Sequence, residues 1–257
     1  MRLAGVLGHP VAHSRSPAMH NAAFRELGLD WHYVKLPVPP ELFDETVRAL
    51  PGSGYGGANV TIPHKLAALT VADFASDAAL SIGAANTLTF SSEGIGADNT
   101  DAGGFLAALE EPVEGRTALV LGAGGASRAV VWALITGGAA DVSVWNRTAE
   151  RAEELAAAFG ARAVRRPEAA DIVVNATSVG LHDGTLPLDD LDAPATAVEM
   201  VYGSETPFAR WAAARGARLV DGLEVLVRQG ALSFTRWTGV EPPLDTMRAA
   251  AKGEILP

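Results

Sequence analysis

The chain has 257 residues, 48% of them apolar and 19% charged, a composition that forms a core and is not that of a disordered chain. Its net charge of −10 argues against a general nucleic-acid or membrane-surface binder, and the lack of cysteine excludes disulfides, thiolate catalysis and zinc–thiolate sites. The N-terminal apolar run is too short for a secretory signal, and no run reaches the ~18 residues of a membrane span, so the cytoplasm is the default location.

Short β-type runs alternate with helical patterns, which predicts α/β layers with parallel strands. In the first hundred residues strands are expected at RLAGVLG, WHYVKLPV, GANVTI and NTLTF, and helices at SPAMHNAAFRELGL, PELFDETVRAL and HKLAALTVADF. The first helix is well signed: Ser16 suits the N-cap, Pro17 the first helical position and Gly28 the position after the C-cap. A second series starts near Thr117, with strands at TALVLGA, DVSVWN, ARAV, DIVVNAT, TAVEMVY and ARLVDG and helices at SRAVVWALITG, AERAEELAAAFG and PFARWAAARG. Six strands with intervening helices make a complete doubly wound unit. From Leu223 to Gly253 the pattern is helical, one or two helices that are expected to fold back on the first domain.

ALVLGAGGASRAV puts a glycine-rich turn directly after a strand and before a helix, the context of a dinucleotide fingerprint. Gly122 suits the tight turn, and Gly124 lets the backbone approach a pyrophosphate on the helix N-terminus, with Gly125 and Ala126 beside it. Ser127 takes the third fingerprint position, where Gly or Ala is usual; it is small enough for helix–strand packing. At the end of the next strand, where a free ribose 2′-hydroxyl usually meets a carboxylate, stand Asn146, Arg147, Thr148 and, one turn on, Arg151. Guanidinium groups suit a 2′-phosphate, so the expected cofactor is NADP. The competing reading is a solvated helix start in which Glu150, Glu153 and Glu154 pair with the arginines.

Lys65 opens a helix, against the preference of a first turn for negative charge. Its surroundings, NVTIPHK (59–65), stand with HSRSP (13–17), IGAANT (82–87), NTDAGG (99–104), GAGGASRA, NRT, NATSVG (175–180) and QGALSFTRWTG (229–239). Together, in this order, these motifs resemble shikimate dehydrogenase over nearly the whole chain. The resemblance implies reversible reduction of 3-dehydroshikimate to shikimate with NADPH, within aromatic amino acid (chorismate) biosynthesis. It implies an N-terminal α/β substrate-binding domain (1–101, completed by 230–257), a C-terminal Rossmann domain that binds NADP (102–229), and a cleft between them.

By the same resemblance Lys65 and Asp101 are the catalytic pair, an ammonium donor and the carboxylate that fixes it. Ser14 and Ser16 offer hydroxyls to the substrate carboxylate, and Asn59, Thr61, Asn86 and Gln229 offer groups to the ring hydroxyls. Tyr202 lines the site, and Thr177, Ser178, Met200, Val201 and Gly222 face the nicotinamide half of the cofactor. His13 and His64 are read as supporting or exposed, because no metal spacing accompanies them, and no metal is expected. His182 and Asp183 read as an ordinary polar loop. Three departures stand out: Glu199 where the family commonly has Asp, a shortened YGSETP turn, and Ala102 in place of a frequent glycine. A quinate or quinate/shikimate enzyme is the near alternative, and a non-catalytic NADP-binding regulator the distant one. The expected partners are a small-molecule substrate and no nucleic acid or membrane, in a monomer or homodimer.

Overall fold

The computed structural model describes residues 1–181, 184–203 and 205–255. His182 and Asp183 lie outside the described residues. The chain divides into two compact units, one of residues 1–104 and the chain from Leu226 onward, the other Phe105–Val225. Both crossings fall inside helices, so neither is marked by a loop-like composition. Asp101 and Gln229 therefore both belong to the first unit.

The first unit contains β1 (Arg2–Gly8), α1 (Ser16–Glu26), β2 (Trp31–Pro37), α2 (Phe43–Ala49), β3 (Tyr55–Val60), α3 (Lys65–Val71), β4 (Phe74–Ala75), α4 (Asp77–Ile82), β5 (Thr87–Ser91) and β6 (Gly94–Asp98). Helix α5 (Thr100–Leu109) follows. The strands form one sheet in the order β2-β1-β3-β5-β6-β4. It is mixed where the pattern predicts parallel strands: β5 runs antiparallel to both neighbours. The reason is local. Ser91 pairs with Gly94 across a tight hairpin, and a hairpin reverses the chain.

Two other expectations need correction. Arg15, not Ser16, occupies the N-cap of α1, and the cap has no side-chain bond; instead the Ser14 hydroxyl accepts from the Ser16 N–H at 3.3 Å. Gly28 does take the left-handed conformation, φ 63°, just past the helix end. The helix expected through Phe74 stops at Val71, because Ala72 turns extended and Asp73 joins the sheet edge, its N–H donating to Ile95 O at 2.8 Å. Helix α4 and strand β6 carry too little periodicity to be read from sequence.

The second unit holds β7 (Thr117–Leu121), α6 (Gly125–Thr136), β8 (Asp141–Trp145), α7 (Ala149–Phe159), β9 (Arg162–Ala163), β10 (Ile172–Asn175), β11 (Thr196–Glu199), α8 (Pro207–Ala214) and β12 (Arg218–Val220). All six strands are parallel, in the order β12-β11-β10-β7-β8-β9, the doubly wound order read from one edge. Strands buried on both faces explain their continuous apolar runs, such as Leu119, Val120 and Leu121 on β7 and Val173 and Val174 on β10.

The tail forms two helices, α9 (Gly222–Thr238) and α10 (Leu244–Lys252). The part from Leu226 packs in the first unit, as the sequence suggests. Trp237 lies over Gly57, where a Cβ would come 2.1 Å from the indole nitrogen, and that nitrogen donates to Leu88 O at 3.0 Å. Gly104 likewise lets the Gln229 backbone approach: a Cβ there would sit 2.6 Å from the Gln229 Cα. Arg15 ties α1 to the end of α10 by donating to Ala251 O at 2.8 Å. Among the described residues no helix is long and apolar enough to cross a membrane.

His20 is fully buried under this tail, stacked on Tyr33 with ring centroids 4.4 Å apart, and neither ring nitrogen has a hydrogen-bond partner. Burial lowers its pKa from 6.5 to about 3. The unfolded chain therefore binds a proton on His20 below pH 6.5 that the folded chain refuses until about 3, and stability is lost as pH falls through that window. His20→Phe keeps the stack and removes the titration. Its loss of stability between pH 7 and 4.5, measured by urea unfolding, is expected to be smaller than that of the unaltered protein by about 2–3 kcal/mol.

Candidate active site

The first unit brings Lys65 and Asp101 into contact. Lys65 is the first residue of α3, just beyond the cis Ile62–Pro63 peptide, and Asp101 is in the first turn of α5. Lys65 Nζ lies 2.5 Å from Asp101 Oδ2, with the two side chains 14% and 11% exposed. A pair this shielded from water, but still reachable, suits proton chemistry on a small ligand.

The second carboxylate oxygen of Asp101 is held as firmly. Oδ1 accepts from Asn86 Nδ2 at 2.8 Å, and the Asp101 N–H donates to Asn99 Oδ1 at 3.1 Å. Asn86 is itself fixed: its Oδ1 accepts from the Thr100 N–H at 2.7 Å and from the Thr100 and Thr87 hydroxyls at 3.1 Å. Its amide also donates to Gln229 Oε1 at 3.2 Å, and Gln229 Nε2 donates to Leu226 O at 2.8 Å. Asn86 is not a left-handed turn residue; the only described non-glycine residue with positive φ is Glu110.

Asn59 forms a second node. Tyr33 donates its hydroxyl to Asn59 Oδ1 at 2.8 Å, while Asn59 Nδ2 donates to Ser233 Oγ at 2.8 Å and lies 3.2 Å from Thr87 Oγ1 and Asn86 O. The hydroxyls of Thr87, Thr100 and Ser233 form a triangle with sides of 3.0–3.1 Å. Such a network rigidifies a buried site because every polar group has a partner. Sequence reasoning assigned no role to Tyr33, Thr87, Asn99, Thr100 or Ser233; four of them lie inside the family motifs, and their neighbours in those motifs were the only available signal.

Other expected substrate groups lie at the starts and ends of elements in the same unit. Ser14 and Ser16 are buried around the start of α1, and Thr61 is half-buried just past β3, its N–H bonded to Leu7 O at 2.9 Å. His64 is supporting, as expected: it stacks on Phe43 and its Nε2 donates to Val38 O at 2.7 Å, while burial lowers its pKa. His13 is exposed. Tyr202 is half-buried just beyond β11, in the second unit.

The glycine loop of the second unit fits a dinucleotide. Gly122 has φ 112°, and a Cβ there would lie 2.9 Å from Ala176 O, so only glycine makes the turn. A Cβ at Gly124 would meet nothing within 4 Å, which leaves that backbone open to a ligand. Gly125 and Ala126 begin the twelve-residue α6, whose unpaired N–H groups favour an anion. Ser127 is fully buried and accepts from the Gly124 N–H at 3.2 Å, so its hydroxyl fixes the loop as well as packing in the third position.

After β8, Asn146 donates to Thr148 O at 2.9 Å, and Thr148 is the N-cap of α7. Arg147 and Arg151 are exposed, and Glu153 pairs with Arg165 at 2.9 Å and not with them. Of the three carboxylates that the reading of a solvated helix start offers as partners, Glu153 is thus engaged elsewhere. At the end of β10, Thr177 is held by Asn175 Oδ1, which accepts from its N–H at 3.1 Å and its hydroxyl at 2.7 Å; Ser178 is exposed beside it. Met200 and Val201 follow β11, and Gly222 lies so close that a Cβ would be 2.5 Å from Val201 O.

Residues 6–88 match the shikimate dehydrogenase substrate binding domain, 106–180 the shikimate/quinate 5-dehydrogenase family, and 222–252 the shikimate 5′-dehydrogenase C-terminal domain. The shikimate dehydrogenase (NADP(+)) of Paracoccus denitrificans is 47% identical over 263 residues, which is 95% of this chain and 93% of that one. The chain belongs to the shikimate dehydrogenase family. The fold agrees with a shikimate 5-dehydrogenase of Thermus thermophilus solved with NADP(H) and shikimate, at TM-score 0.92, 43% identity and coverage of 99% of this chain and 100% of that one. A 5-ketofructose reductase of Gluconobacter superposes at TM-score 0.89 with 29% identity, covering 99% of each chain, so the same scaffold also occurs in an enzyme of another name.

Asn86 is the side chain on which the Lys65–Asp101 pair most depends. Asn86→Ala is expected to leave the buried Thr100 N–H without its acceptor and to cost about 1–3 kcal/mol of stability in urea unfolding at pH 7.

Proposed function

We propose that the protein is an oxidoreductase that reversibly reduces 3-dehydroshikimate to shikimate with NADPH, with Lys65 and Asp101 as its catalytic pair. The observation that carries the assignment of the pair is their 2.5 Å contact in a shielded position, in a chain of this family. When bound, NADPH supplies the hydride that adds to the carbonyl carbon. Lys65 Nζ donates to the carbonyl oxygen, so negative charge grows on that oxygen against an ammonium. Asp101 Oδ2 keeps the amine aimed, and Asn86 keeps Asp101 aimed through Oδ1. A misplacement of about 1 Å at such a donor costs orders of magnitude in rate, which is why the pair sits on helix starts and not on free loops.

Ser14 and Ser16 receive the substrate carboxylate through hydroxyls, and Asn59, Thr61, Asn86, Gln229 and Tyr202 meet the ring. Asn59 and Asn86 do so while tethered to Ser233 and Asp101, which fixes their orientation in advance. A site of this kind rejects analogues that leave its polar groups unpaired. Gly122, Gly124, Gly125 and Ala126 hold the pyrophosphate. Asn146, Arg147, Thr148 and Arg151 hold the 2′-phosphate. Thr177, Ser178, Met200, Val201 and Gly222 line the nicotinamide half.

Initial rates with shikimate and quinate, each with NADP⁺ and NAD⁺, test the activity. Shikimate with NADP⁺ is expected to be the best combination, and a preference for quinate with NAD⁺ would overturn the assignment. Lys65→Ala is expected to lower kcat by roughly 10²–10⁴ while both ligands still bind in calorimetry. The double variant Arg147→Ala, Arg151→Ala is expected to raise KM for NADPH by about 10–100-fold and to leave KM for NADH within about twofold, as the loss of charge-assisted hydrogen bonds predicts.

A further inference from the structure

The Glu199 carboxylate is 2% exposed at the carboxyl end of β11, opposite Asn175 at the end of β10. Its Oε1 accepts from Asn175 Nδ2 and the Val201 N–H, both at 2.9 Å, and its Oε2 from Asn175 Nδ2 at 3.0 Å and Thr206 Oγ1 at 2.5 Å. Every one of these partners is a donor. Three of the four contacts come from N–H groups, which can only donate; the Thr206 hydroxyl, which also accepts from the Ala209 N–H at 3.0 Å as the cap of α8, is the one partner able to accept from a protonated carboxyl. Burial raises the Glu199 pKa on balance, while the hydrogen bonds from Thr206, Val201 and Asn175 work against it by favouring the anion. No cation pairs with Glu199 among the described residues, so its charge is screened by dipoles and not cancelled by a counter-ion.

The place of this anion in the sheet gives it a role. The arginines expected on the 2′-phosphate follow β8, and the pyrophosphate loop follows β7. In the strand order β11-β10-β7-β8 the remaining half of a dinucleotide extends past β10 and β11, over the carboxyl ends where Glu199 is buried. Two loops expected beside the nicotinamide are tied to the same carboxylate, Val201 directly through its N–H and Thr177 indirectly through Asn175.

We infer that Glu199 is a fixed buried anion that favours the oxidised, positively charged nicotinamide over the reduced, neutral one, and so sets the redox balance of the bound cofactor. This rests on the NADP-binding role proposed above. A charge in a poorly solvated surrounding acts over a longer range than one in water, and it acts only on the cationic form. The loops it holds serve both forms alike, so the two contributions are separable.

Dissociation constants for NADP⁺ and NADPH, measured by calorimetry without substrate, test the inference. Glu199→Gln is expected to shift their ratio against NADP⁺ by about tenfold, equivalent to about 30 mV in the potential of the two-electron couple. Glu199→Asp keeps the charge and is expected to keep the ratio within about twofold. Because the amide introduced by Glu199→Gln would face the donors of Asn175 and Thr206, the variant Asn175→Leu, Glu199→Met removes charge and principal donor together; if it binds more weakly overall, its ratio is still expected to shift against NADP⁺. Equal weakening of both forms in the variants that lack the charge would overturn the electrostatic role and leave Glu199 a loop anchor. Failure of the unaltered protein to bind either form would instead overturn the cofactor assignment itself.

Discussion

The carboxylate of Asp101 is the constraint on which the first unit depends. One of its oxygens holds the Lys65 amine, and the other is held by Asn86. From Asn86 the hydrogen bonds run to Thr100, Thr87 and Gln229, and through Thr87 and Ser233 to Asn59 and Tyr33. Residues from α5, β5, α9, β3 and β2 thus share one buried network. A buried polar network of this kind is stable only when all of it is satisfied, so the Lys65–Asp101 pair and the packing of the tail are parts of one solution.

The tail contributes through shape as well as polarity. Gly57 makes room for Trp237, and Gly104 makes room for Gln229. With any larger residue at either position α9 would stand off, and Ser233 would lose its place in the hydroxyl triangle. His20 carries the cost of this close packing: its ring is stacked with no partner for its nitrogens, and it is neutral in the folded chain as a result.

The second unit places its chemistry by a different rule. A parallel sheet delivers all its strand ends to one edge, so the glycine loop, the Arg147 turn, the Asn175 loop and the Glu199 loop line up without a dedicated network. What still needs fixing is the loop geometry at those ends. Ser127 does it for the glycine loop, and the Asn175–Glu199–Thr206 cluster does it for the other half. In both places a small polar side chain takes up backbone N–H groups that no strand partner would satisfy.

Much of this was legible in the sequence. The six strands of the second unit, the glycine turn, the guanidinium pair and the returning helices are local patterns, set by apolar runs, glycine conformations and side-chain charge, and these act over a few residues. The family motifs added Lys65 and Asp101, which no periodicity links. Several features lay beyond local reading. The reversal of β5 depends on a hairpin whose turn carries no strong signal, the stop of α3 depends on Asp73 finding Ile95, and Ser14 rather than Ser16 meets the start of α1. Tertiary structure alone decided that Asn86 and Asn59 are nodes of a shared network, that Ser233 closes it from a helix more than 130 residues from Thr100, and that Glu199 lies buried among donors. Hydrogen bonds between distant segments have no sequence period, because the partners are chosen by where packing brings the chains together.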